Sequence, residues 1–122
     1  TLSTFQVSGA ELIEALENGV SQIEKAAGRF PQVAGMTFTV DPKAEVGSRI
    51  SDVMVSGMPI DPEKTYGMVS NNYVRNGGDG YATFKSAQNA YDYGPDLADV
   101  TAEFIAKNGD YTPYIDGRIK IK

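Results

Sequence analysis

Residues 71–81 read Asn71-Asn-Tyr-Val-Arg-Asn-Gly-Gly-Asp-Gly-Tyr81, and three of their side chains, Tyr73, Arg75 and Asp79, could do chemistry. An aromatic face can stack on a flat base. An ionised carboxylate accepts hydrogen bonds from sugar hydroxyls, and glycines let a backbone come close to a ligand. Gly77, Gly78 and Gly80 supply that freedom here, while Asn71, Asn72 and Asn76 bond readily to their own backbone. A strand cannot run on through such a segment, so the sequence predicts a loop directly after a strand.

Each of these residues also has a reading without chemistry. Tyr73 can be a partly exposed aromatic at a strand end, and Asp79 an Asp-Gly turn residue whose carboxylate caps its own loop. Arg75 reads as a solvated loop charge rather than a phosphate ligand. Tyr81 and Phe84 read as core anchors of the loop, and Phe30 and Pro31 as packing residues. Asp92, Asp96 and Asp99 form an acidic patch at a helix start, where carboxylates favour the helix dipole; they lack the spacing of a calcium loop.

The elements that must position the segment follow from periodicity. Leu2 to Val7 alternates as a strand, with Phe5 and Val7 on one face. Ser8 and Glu11 form a capping box for a helix whose stripe is Leu12, Ala15, Leu16, Gly19, Val20, Ile23 and Ala27, with Gly28 as its stop. Further strands are expected at Met36–Val40, Arg49–Val55 and Thr65–Ser70. A short helix is expected at Tyr81–Ala87 and a brief strand at Ala90–Tyr93. Asp96 to Asn108 forms a second amphipathic helix, with Leu97, Val100, Phe104 and Ile105 inward and Gly109 as its stop, before a last strand at Arg118–Lys122. This order predicts a single α+β domain: one mixed, largely antiparallel sheet with two main amphipathic helices packed on it.

Composition removes whole classes of function. The 122 residues include no histidine and no cysteine, which excludes a Ser-His-Asp triad, thiol catalysis and zinc sites of the usual nitrogen and sulfur type. A formal charge of −5 argues against a nonspecific nucleic-acid or anionic membrane surface. No apolar run approaches a membrane span and no signal-peptide pattern opens the chain. The start at Thr1, already in a strand-like alternation, reads as a piece of a larger protein.

Four runs in order give a family resemblance. Phe5-Gln-Val-Ser-Gly-Ala-Glu-Leu12, Arg29-Phe-Pro-Gln-Val-Ala-Gly35, Gly57-Met-Pro-Ile-Asp-Pro62 with Lys64-Thr-Tyr66, and Asn72-Tyr-Val-Arg-Asn-Gly-Gly-Asp-Gly-Tyr81 resemble the C-terminal domain of the 5'-nucleotidase and UDP-sugar hydrolase family. Asp116-Gly-Arg-Ile119 falls where that family has its closing strand. The resemblance covers essentially the whole chain. It implies a nucleoside-recognition domain of a periplasmic or extracellular bacterial metallophosphohydrolase. The partner would be an N-terminal metallophosphoesterase domain of the same parent chain, holding two divalent metal ions. It implies neither nucleic-acid binding nor membrane contact. Residue by residue, Tyr73 falls where the family stacks the base on phenylalanine, Asp79 matches the aspartate that accepts from the ribose hydroxyls, and Asn72, Gly77 and Gly78 belong to the same substrate-binding motif. The family's second stacking aromatic, a base-contacting asparagine and substrate arginines lie upstream, so these residues would hold half of a site and no catalytic residue. Two other readings stay open: a stand-alone nucleotide- or sugar-binding module, and a domain kept for structure alone.

Overall fold

The computed structural model describes residues 1–122. Strand β1 (Leu2–Ser8) alternates as its sequence does, with Ser3, Phe5 and Val7 buried. Ser8 then caps the first helix: its Oγ accepts from the Glu11 amide at 3.1 Å, and the Glu11 carboxylate accepts from the Ser8 amide at 2.8 Å. The capping box is thus formed in both directions. Helix α1 (Gly9–Val20) buries Leu12, Ala15, Leu16, Gly19 and Val20. It stops well before Gly28, the expected end. Arg49 Nη1 donates to the Val20 carbonyl at 3.0 Å and Ser21 Oγ to the Asn18 carbonyl at 2.7 Å, which satisfies the last turn where it stands. A 3-10 turn at Ile23–Lys25 follows, closed by Ala26 in the left-handed region.

The remaining strands are β2 (Met36–Val40), β3 (Ile50–Val55), β4 (Met58–Pro59), β5 (Thr65–Asn71), β6 (Gln88–Tyr91) and β7 (Ile119–Ile121). The class is α+β with antiparallel pairing dominant, as expected, but the strands form two sheets rather than one. The first has the order β5-β1-β6 and is antiparallel; the second runs β4-β3-β2-β7, with β7 parallel to β2. Helix α1 explains the division. Leu12 and Ala15 pack with Phe5, Val7, Tyr81 and Phe84 under the first sheet, while Leu16 and Val20 pack with Phe38, Val40 and Val53 of the second. One wide apolar stripe therefore serves two sheets.

After β5 come helix α2 (Asn72–Arg75), a 3-10 turn (Gly78–Gly80) and helix α3 (Ala82–Lys85). Helix α4 (Leu97–Asn108) is capped by Asp96, whose carboxylate accepts from the Ala98 amide at 2.9 Å, and Gly109 follows its end. Its stripe was expected to face inward, yet the helix buries no residue, and Phe104 is 58% exposed. Amphipathic spacing states what a helix can bury; no other element of these residues lies over this one. No helix is long and apolar enough to cross a membrane.

Candidate functional site

The segment expected as a loop is instead two short helical pieces joined by a left-handed turn. Asn71 ends β5 and caps α2, its Oδ1 accepting from the Val74 amide at 2.8 Å. Asn76 Nδ2 donates back to the Asn72 carbonyl at 2.7 Å. Gly77, at φ 95°, and Asp79, at φ 55°, then turn the chain. The asparagines thus do the local bonding expected of them, but they build helical turns with it.

Tyr73 stands on α2 and is 60% exposed. Its ring lies against Gly78, where a Cβ would overlap the ring carbons. Any side chain at that position would have to push the exposed ring aside. Asn72 bonds toward the start of β1: its amide donates to the Thr1 carbonyl at 3.0 Å and its Oδ1 accepts from the Thr1 amino nitrogen at 3.1 Å.

Asp79 is exposed, and only its carbonyl is engaged by another side chain, accepting from Asn18 Nδ2 at 3.1 Å. Its carboxylate oxygens take part in no hydrogen bond or ion pair, so the side chain is free of the turn-bracing role that an Asp-Gly pair commonly has. A free acceptor and a bared aromatic ring therefore share one short segment.

Arg75 corrects the sequence reading. It is no solvated charge: its side chain is 12% exposed and clamps Asp92 with one edge of the guanidinium, Nε to Oδ1 at 2.9 Å and Nη2 to Oδ2 at 2.6 Å. Nη1 donates to the carbonyls of Phe84 and Lys85, and Nη2 also to Asn76 Oδ1. This planar fork ties α2, α3 and the end of β6 together. Hydrogen bonding from Arg75 holds the Asp92 carboxyl down at about 2, and the same bond raises the guanidinium pKa. Asp92 accordingly belongs to this clamp, while Asp96 and Asp99 sit at the start of α4 as expected.

Beneath the segment, Tyr81 and Phe84 are buried anchors, stacked at 5.4 Å between ring centroids. The Tyr81 hydroxyl donates to the Arg29 carbonyl at 2.6 Å, and burial pushes its pKa up to about 12. The Arg29 guanidinium donates to Asn18 Oδ1 at 3.2 Å and Ser21 Oγ at 3.3 Å. Sequence reasoning missed Asn18 and Arg29. Asn18 shows only as a polar residue beside the α1 stripe and Arg29 only as the first residue of a family run, because the contact from Asn18 to Asp79 spans 61 positions of chain.

A cleft of about 860 Å³ opens beside the site, with Leu12, Met36, Met68, Tyr81 and Phe84 in its walls and Asp79 on its lining. Tyr73 is not part of it. No three His, Cys, Asp or Glu side chains converge to hold a metal ion. Several carboxylates are already engaged: Glu17 by the amides of Arg49 and Ile50, Asp92 by Arg75 and Asp116 by Arg118.

Comparison with known proteins adds to this geometry. The family model described as "5'-nucleotidase, C-terminal domain" matches residues 1–86. The "Trifunctional nucleotide phosphoesterase protein YfkN" of Bacillus subtilis is 35% identical over 98% of this chain, which spans 9% of that protein. The 5'-nucleotidase of Rattus norvegicus is 29% identical over 98% of this chain and 22% of its own length. The crystal structure of a 5'-nucleotidase precursor from Thermus thermophilus superposes with a TM-score of 0.94 at 38% identity, over 99% of this chain and 25% of that one. The chain thus covers a quarter or less of the length of each of these relatives.

Proposed function

The chain belongs to the family of 5'-nucleotidase C-terminal domains, and from that premise we propose that it recognises the nucleoside end of a nucleotide for a parent phosphoesterase whose hydrolytic site lies outside these residues. One observation carries the reading: the Tyr73 ring and the uncommitted Asp79 carboxylate are presented together on a segment anchored from below by Tyr81 and Phe84. The ring offers its face to a base, and its hydroxyl adds a polar handle that the family's phenylalanine lacks. The carboxylate accepts from the ribose hydroxyls. Asn72, Gly77 and Gly78 shape the backbone between them.

Two divalent metal ions in an N-terminal metallophosphoesterase domain of the same polypeptide would supply the bond-breaking chemistry. The donors in this chain do not fit such a centre, so its residues bind and orient only. The formal charge of −5 favours a small-molecule ligand over nucleic acid or an anionic bilayer. The chain's span of 9 to 25% of its relatives favours this reading over a stand-alone binding module. By family alone, we place the parent in the periplasm or outside the cell of a bacterium.

Titration of the isotope-labelled chain with adenosine, followed by NMR, tests the proposal. The expected result is perturbation centred on Tyr73 and Gly77 to Gly80 with a dissociation constant near or above a millimolar, on the order of 4 kcal/mol. With magnesium or manganese added, the same sample should release no phosphate from AMP. Perturbations centred elsewhere, a micromolar constant, or metal-dependent phosphate release would each contradict it.

A further inference from the structure

We propose that Asn18, on the last turn of α1, is a positioning residue that aims Asp79 at the sugar, and that Arg29 fixes Asn18 in the orientation this requires. The inference rests on the reading of Asp79 as the ribose acceptor.

The Asn18 amide has one donating and one accepting end, and its two neighbours allow only one arrangement. Arg29 can only donate, so it takes Oδ1 at 3.2 Å; the Asp79 carbonyl can only accept, so it takes Nδ2 at 3.1 Å. A flipped amide would set donor against donor and acceptor against acceptor. Half-buried Asn18 is thereby locked.

Asp79 needs an external hold. It sits in the left-handed region, at φ 55° and ψ 27°, which costs an L-residue conformational energy, and it stands between two glycines that offer no side chain to pack. The bond from Asn18 is the one side-chain hydrogen bond that reaches it. The neighbouring backbone is packed as tightly: a Cβ at Gly80 would lie 2.7 Å from Asn18 Oδ1 and 3.2 Å from Arg29 Nη1. Two residues further on from Asp79, Tyr81 returns to the Arg29 carbonyl. Arg29 therefore grips the segment twice, through its own carbonyl and through Asn18. The Tyr81 phenol, raised chiefly by burial, feels the Asp79 charge pushing it up and the Arg29 charge pulling it down, so both charges lie close to this ring of contacts. Fixing the Asp79 peptide fixes the direction of its Cα–Cβ bond. Discrimination between sugars thereby becomes a property of the end of α1.

Asn18→Asp is nearly isosteric, keeps an acceptor for Arg29 and replaces the donor with an oxygen that repels the Asp79 carbonyl. Asn18→Ala removes both ends and retains helix propensity. The chain and both variants are titrated with adenosine and with 2',3'-dideoxyadenosine by NMR, and melting temperatures are recorded. The wild-type chain should prefer adenosine. Asn18→Asp should cut that preference at least threefold while leaving dideoxyadenosine affinity unchanged, and Asn18→Ala should act in the same direction. A wild-type preference retained in both variants would overturn this inference and leave the Asp79 assignment standing, even if the melting temperature fell. A wild-type chain with no preference would overturn the Asp79 assignment, and this inference with it.

Discussion

Tyr73 and Asp79 lie on one segment, yet the fold holds them by different means. Tyr73 rides on a helical turn that Arg75 pins with a forked, mostly buried ion pair, and its ring is backed by Gly78. Asp79 follows two glycines, adopts a strained backbone, and is tied to the rest of the molecule by one half-buried amide. The aromatic arm is therefore part of the packed structure up to the ring itself. The carboxylate arm depends on a bond that one atom's change would remove. A base platform tolerates small shifts, because stacking is broad in angle and position. A carboxylate in the proposed role of meeting two hydroxyls does not, which on that proposal makes the loosely held arm the one where substrate preference can change without loss of the fold.

The clamp should give the largest effect. Arg75→Ala leaves a mostly buried Asp92 without its partner and frees the carbonyls of Phe84 and Lys85. Differential scanning calorimetry should show a melting temperature lower by on the order of 5–10 °C. Arg75→Lys should recover little, since an ammonium cannot fork. Wild-type stability in Arg75→Lys would show that the fork does not hold the helical turn under Tyr73. The clamp also has a pH signature. The Asp92 pKa, about 2 when folded, lies below its unfolded value of about 3.9, so the stability that the pair contributes is complete above about pH 4 and is lost as pH falls towards 2. Acid titration of the melting temperature should show that loss in wild type and not in Arg75→Ala.

The stacking arm comes next. Tyr73→Ala should weaken nucleoside binding by about 1–3 kcal/mol whatever the sugar. Its melting temperature should move by no more than roughly two degrees, because an exposed ring leaves no cavity. Gly78→Ala should reproduce much of that binding loss by pushing the ring aside, measurable as a changed Tyr73 ring shift. If Tyr73→Ala unfolds the chain while the folded fraction binds normally, the ring is a core residue and the two arms are not alike in purpose.

Local features of this fold could be read in the sequence; long-range ones could not. The Ser8 and Glu11 capping box, the β1 alternation and the start of a helix at Asp96 all depend on neighbours within a few residues, and all formed as read. The end of α1 did not, because Arg49 supplies a distant partner for its last carbonyl. Helices α1 and α4 have equal length and each carries an apolar stripe, but α1 is covered by two sheets while α4 buries no residue. Periodicity carries no information on which element does the covering. In the site, Tyr73 and Asp79 were legible as exposed chemistry on a glycine-rich segment. Arg75 was misread because its partner, Asp92, lies across a second element, and Asn18 was missed for the same reason.

In the proposed function the two arms read different halves of a nucleoside. The most direct test is kcat/KM of the proposed parent hydrolase for AMP, 2'-deoxy-AMP and 3'-deoxy-AMP, in wild type, Tyr73→Ala and Asp79→Ala. Tyr73→Ala should lower all three by a similar factor. Asp79→Ala should lower AMP most, by up to the roughly 1.5–3 kcal/mol of a charge-assisted hydrogen bond less what water restores, and so remove most of the ribose preference. Equal losses on all three substrates in Asp79→Ala would contradict the claim and reduce Asp79 to a brace of its turn.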